Sequence, residues 1–313
     1  MSDTRATREA YGATLVELVD AGADIVVVEA DLSKSTTTAT FEKAYPERFF
    51  NAGVAEQNMI GTAAGLAVGG KIAFTGSFAV FATGRAYDQV RNTVCYSKLN
   101  VKLAPTHAGI TVGPDGGSHQ MLEDLALMRA LPGMRVLVPA DFTAAASAIR
   151  LAAATPGPFY VRLGRAAVPR IHEDGFTLEL GRAYTLRAGA DVTIAACGVM
   201  VERALGAAEV LATEGISAEV LDVATIKPID VETIAASVAR TGAVVTAEEH
   251  SIIGGLGSAV AEVIGEHGPA PLRRVGVRDV FGTSGDPEAL MEYFGLTADA
   301  IAAAAREVIA AKV

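Results

Sequence analysis

The chain has 313 residues, half of them apolar, and a formal net charge of −10. That size suits about two domains with ample core-forming residues, and acidity with scattered Lys and Arg argues against nucleic-acid binding, which needs clustered cations. Cys95 and Cys197 form neither a CxxC nor a disulfide framework, the opening MSDTRATREAYG lacks a secretory apolar core, and no apolar run nears the roughly 20 residues of a membrane span, so a reducing cytoplasm is expected.

Short β-branched runs alternate with Ala-rich helical stretches along the chain. The first runs are IVVVE (25–29), KIAFTG (71–76), NVKLAPT (100–106), RVLVPA (135–140) and FYVRLG (159–164). Between them lie EQNMIGTAAGLAV and GRAYDQVRNTVCYSK, the latter with Ala86, Val90 and Val94 at helical spacing. Strand–helix alternation predicts a parallel, doubly wound sheet. The polar stretch 168–191, with Pro169, Gly175, Gly181 and Gly189, reads as a linker containing a short hairpin. A second alternation follows: DVTIAAC (191–197), a helix from about Val201, ISAEVLDVAT, a helix from Asp230, GAVVTAEE, a helix from Gly255, LRRVGVRDV, and a closing helix from about Thr297. The expected organisation is two α/β domains, residues 1–180 and 181–313.

Four segments carry candidate chemistry. In FFNAGVAEQNMIGTAAGLAV, Glu56 opens a helix rich in Gly and Ala. A first-turn Glu is favoured by the helix dipole and is often surface decoration, but apolar and small flanks are unusual for a solvated Glu. In TGSFAVFATGRAYDQVRN, Phe78 and Phe81 follow a strand. Ligands bind beyond the carboxyl ends of such strands, where two aromatics would flank a flat heterocycle; spacing three also suits core packing. In THAGITVGPDGGSHQ, His107, Asp115 and His119 share a loop with Gly109, Gly113, Gly116 and Gly117, which permit tight turns and close backbone approach to a ligand. The spacing matches no common zinc pattern, so a polar site for a hydroxylated or phosphorylated substrate is expected, with local turn capping the plainer reading. In FYVRLGRAAVPR, Arg162 and Arg165 end a strand and suit either a phosphate clamp or a surface ion pair.

Together these segments resemble the transketolase family of thiamine-diphosphate enzymes. GVAEQNM, GSFAVF, RAYDQVRN, THAGITVGPDGGSHQ, LPGMRVLVPAD and GPFYVRLGR match its pyrimidine-binding domain in order, and EEHSIIGGLGSAVAE looks like its C-terminal domain. The resemblance implies that Glu56 hydrogen-bonds N1′ of the cofactor's aminopyrimidine, which favours a tautomer able to act as a base. It implies that Phe78 and Phe81 pack around that ring and that His119 lies near its 4′-amino group and the substrate. His107 and Asp115 match residues that bond sugar hydroxyls. Arg165, or by another alignment Arg162, matches an arginine that holds the substrate phosphate, joined by Arg8 in TREAYG and Ser35 in EADLSKS.

The family's GDG-and-Asn site for diphosphate and Mg2+ or another divalent cation is missing from this sequence. The resemblance therefore implies a split transketolase small subunit with no metal ligands of its own. It would depend on a separately encoded N-terminal partner, as a heterotetramer built on a two-fold pair of these chains. Ala55, Gln57 and Asn58 replace the Arg and His that flank the catalytic Glu in many transketolases, and Gly84 replaces an expected tyrosine. GVAEQ and RAYDQV look closer to deoxyxylulose-phosphate synthase. The alternatives are a deoxyxylulose-phosphate synthase-like or a 2-oxo acid dehydrogenase β-type subunit using the same cofactor, and a non-catalytic assembly module.

Overall fold

A computed structural model describes residues 4–312; Met1–Asp3 and Val313, the outer ends of the two expected domains, lie outside the described residues. Among the described residues the strands are β1 (Thr4–Ala6), β2 (Ile25–Glu29), β3 (Phe49–Asn51), β4 (Ile72–Gly76), β5 (Val101–Leu103), β6 (Arg135–Leu137) and β7 (Phe159–Val161). They continue with β8 (Ala167–Pro169), β9 (Tyr184–Arg187), β10 (Val192–Ala196), β11 (Ala218–Asp222), β12 (Thr225–Lys227), β13 (Val244–Ser251) and β14 (Leu272–Val277). One sheet has the order β12-β6-β7-β5-β4-β2-β3, a second β14-β13-β10-β11-β9, and β1 pairs with β8. The first sheet is parallel except where β12 meets β6. The second is parallel except where β9 meets β11. The chain is an α/β protein with two doubly wound parallel sheets.

The central strands read as continuous apolar runs because helices cover both faces. In β2, Ile25 and Val27 pack with Tyr11, Leu15 and Ile149, while Val26 and Val28 pack with Met59, Ile60 and Val90 on the opposite face. The side-chain period of two in a strand produces that division. Ala86, Val90 and Val94 are fully buried, as their spacing predicts. Their segment winds wider than an α-helix, however, with π-helical turns over Val80–Arg85 and Gln89–Cys95.

The hairpin expected within 168–191 is not formed. Ala167–Pro169 pairs with Thr4–Ala6, and Tyr184–Arg187 pairs with β11. The stretch between them is pinned instead by Asp141, whose carboxylate accepts from the Ile171 and His172 amides at 2.7 Å each. A chain tied down every few residues has no slack to fold back as a two-stranded ribbon.

The two sheets are not separate bodies on a tether. β12, beyond residue 181, is an edge strand of the first sheet. One apolar cluster joins Leu125, Met128, Val136 and Val138 to Leu221, Val223, Ile226, Leu256 and Val260. No helix among the described residues is long and apolar enough to cross a membrane.

Candidate active site

Most candidate residues lie on the segments that follow β2, β3, β4, β5 and β7 of the first sheet, whose parallel ends share one edge, so residues distant in sequence meet there; Arg8 follows β1, outside that sheet.

Glu56 is the first residue of the helix Glu56–Val68 and is only 2% exposed. Both its carboxylate oxygens accept from Nη1 of Arg85, at 2.9 and 2.8 Å. Arg85 itself is half exposed, and its guanidinium also lies 4.6 Å from the centre of the Phe81 ring. RAYDQV belongs to the family resemblance, which assigns Arg85 no role. A signal was available, since Arg85 follows Phe81 by four residues and so shares its helical face.

Phe78 and Phe81 lie nearly parallel, with centroids 6.1 Å apart. His119 meets Phe81 edge-on at 5.4 Å, and its Nδ1 lies 2.9 Å from the Ser118 hydroxyl. Phe78 also stacks with His107 at 3.8 Å. His107 is 3% exposed, with Nδ1 2.7 Å from Thr106 Oγ1 and Nε2 3.4 Å from Arg8 Nη1. An arginine only donates, so Nε2 accepts and the proton sits on Nδ1. Burial pushes the His107 pKa down to about 3, aided by the positive charge of Arg8 and Arg165.

Arg8 donates to the Ser35 carbonyl at 2.8 Å; Ser35 thus reaches the cluster through its backbone. Burial and the nearby Arg165 lower the Arg8 pKa, as for two guanidinium groups that share one region. Arg165 donates to the Val112 carbonyl at 2.6 Å and lies 3.4 Å from the Asp115 carboxylate. Arg8, Arg165, His107 and Asp115 therefore belong to one partly exposed polar cluster.

Arg162, the arginine of the alternative alignment, has a different set of partners. Its guanidinium is buried and donates to Asp124 at 2.7 and 3.2 Å, to the Met121 carbonyl at 3.2 Å and to the Glu249 carbonyl at 3.0 Å. Burial alone would raise the Asp124 pKa, but Arg162 and His250 outweigh it and hold it below the usual range. Its Nε and Nη2 are thus committed to Asp124 and two carbonyls, and Nη1 lies 3.9 Å from the Glu249 carboxylate.

Glu29 was not singled out from sequence either. Its buried carboxylate accepts from the amides of Ala30 and Leu32 at 2.9 Å each, and from the Thr36 and Thr38 hydroxyls. Burial raises its pKa against those donors. This anchor shapes the turn that carries Ser35. A Cβ at Gly76 would collide with the same carboxylate, which explains the glycine before Ser77. A separate cleft of about 250 Å³, lined in part by Arg5, Phe142, Arg170 and Phe176, contains none of these site residues.

Fold and site thus define a two-sheet α/β protein with an acidic, an aromatic and a cationic group gathered beyond its strand ends. Residues 3–170 match the family model of the transketolase pyrimidine-binding domain, and residues 181–301 that of the transketolase C-terminal domain. The chain belongs to the transketolase family, and by that membership is a transketolase-type subunit. It is 54% identical to a putative transketolase C-terminal section of Methanocaldococcus jannaschii, over 94% of this chain and 93% of that one. It is 50% identical to the 6-deoxy-6-sulfo-D-fructose transketolase subunit SqwH of a Clostridium species, over 96% and 94%. A solved structure described as a split gene transketolase, inactive beta4 tetramer, superimposes with a TM-score of 0.92 at 55% identity, covering 98% of this chain and 99% of that one.

Proposed function

We propose that this chain is the small subunit of a split transketolase and transfers a two-carbon ketol unit between sugar phosphates only when joined to a separately encoded partner. The observation that carries this reading is Glu56, a buried carboxylate at a helix start, beside the Phe78–Phe81 pair. Those residues fit the pyrimidine ring of thiamine diphosphate, the cofactor expected from the family. When bound, that cofactor supplies an electron sink for the transferred fragment.

Glu56 would hold a proton against the ring nitrogen, in a site dry enough for that bond to count. Phe81 would fix the ring plane. His119 would take or give a proton at the substrate's reacting hydroxyl, while neutral His107 and Asp115 bond sugar hydroxyls. Arg8, Arg165 and the Ser35 turn would hold the anionic end of the sugar. Diphosphate and a divalent cation are assigned to the partner, because no GDG stands in this sequence. The similarity to split subunits supports that division.

The test is reconstitution. Chain, partner, thiamine diphosphate and Mg2+ together should transfer ketol units from xylulose 5-phosphate, and omission of any one should abolish transfer. Glu56→Gln should assemble normally and lose about 10²–10⁴-fold in kcat. Full turnover by the isolated chain, or a normal rate in Glu56→Gln, would overturn the reading. The relative named for a sulfonated sugar gives one reason to run sulfonated beside phosphorylated substrates. Two arginines suit either anion.

A further inference from the structure

We infer that the C-terminal domain is the brace that positions the substrate loop 107–119, and that Gln120 is its main positioning residue. This rests on the reading of that loop as substrate-binding. The glycines of the loop suggest close approach to a ligand when read from sequence. In the fold, what they approach is the second domain. A Cβ at Gly117 would lie 2.5 Å from the Gly282 carbonyl oxygen, and one at Gly109 would fall on the Glu249 carboxylate. Glycine is required there because a side chain would push the two domains apart.

Three hydrogen bonds cross the same seam. At the start of the loop, Glu249 on β13 accepts from the Thr111 amide at 2.7 Å. In the middle, the Ser284 hydroxyl donates to the Pro114 carbonyl at 2.7 Å. At the end, Nε2 of Gln120 donates to the Thr283 carbonyl at 2.8 Å. The same nitrogen lies 3.2 Å from the Ile110 carbonyl and 3.3 Å from that of Gly113. Gln120 is 4% exposed, so these carbonyls have little water to turn to if it leaves. One amide therefore ties two points of the loop to the other domain.

The loop matters because of what it orients. Its Val112 carbonyl and Asp115 carboxylate hold Arg165, and its last residues carry His119. Glu56, Phe78 and Phe81 lie on other segments. Loosening the brace should therefore spoil substrate recognition and spare cofactor binding, which separates positioning from general stability.

The test uses two variants of the full chain. Gln120→Met keeps the volume and removes the donor; Ser284→Ala removes one bond from a surface residue. By hydrogen-exchange mass spectrometry, both should accelerate exchange in peptides from 109–119, about tenfold for Gln120→Met, with peptides over β10 unchanged. In the reconstituted complex, KM for the phosphorylated sugar should rise about tenfold for Gln120→Met, with kcat lowered as well because the loop carries His119, and thiamine diphosphate affinity unaltered. Unchanged exchange and KM in both variants would overturn the inference, as would acceleration spread evenly over the chain. Absence of ketol transfer in the wild-type complex would instead overturn the functional reading, and the exchange result would stand apart from it.

Discussion

The Arg85 guanidinium holds both carboxylate oxygens of Glu56, at 2.9 and 2.8 Å. This buried carboxylate is thus paired with a residue from the wide-turned segment after β4. The pairing is asymmetric, because Glu56 is buried and Arg85 is half exposed. A ring nitrogen that bonds Glu56 would share these oxygens with Arg85, since each keeps a second lone pair, and the exposed partner is the one freer to shift.

Arg85→Ala should lower stability by about 1–2 kcal/mol in urea unfolding, below the cost of breaking a fully buried pair because Arg85 is solvent-screened. In a Glu56→Gln background the same change should cost less than about 0.5 kcal/mol. Equal costs in both backgrounds would mean that the ion pair contributes nothing. The single variant should also show an altered affinity for thiamine diphosphate in the complex, measured by titration calorimetry.

Acid should weaken the fold through His107. Its folded pKa is about 3, against about 6.5 in an unfolded chain. The unfolded chain gains a proton as pH falls through about 6.5, and the folded chain does not until about 3. The stability contribution is therefore complete above about 6.5 and lost progressively towards 3. Urea midpoints at pH 7 and pH 5 should differ less in His107→Gln than in wild type. Identical shifts would remove His107 from the acid response.

Arg162 and Arg165 should separate cleanly. Arg162→Met strands Asp124 as a buried, unpaired carboxylate and should cost about 3–5 kcal/mol of stability. Arg165→Met removes a partly exposed group and should leave the thermal midpoint within about 2 °C, while raising KM for a phosphorylated sugar at least tenfold. Reversed phenotypes would exchange their roles.

Much of the fold was legible in the chain alone. Runs such as IVVVE are buried on both faces and so had to be interior parallel strands. Glu56 and the Phe78–Phe81 pair could be named because short motifs hold a helix start and a strand-end loop with little help from elsewhere. The hairpin reading of 168–191 failed because its strands pair with Thr4–Ala6 and β11, and nothing local encodes partners that lie outside the segment.

What the sequence by itself determined is the two α/β alternations, the placement of candidate groups just past strand ends, and the ordered motifs of the family. Local pattern is enough for these, because strand period, helix spacing and turn glycines act over a few residues. Tertiary structure alone decided that Arg165 pairs with Asp115 and Arg162 with Asp124, that Arg85 holds Glu56, and that the loop glycines face the second domain. Each of those depends on which buried charge finds which partner. That choice is set by desolvation and by contacts between segments that meet only once the sheets have packed.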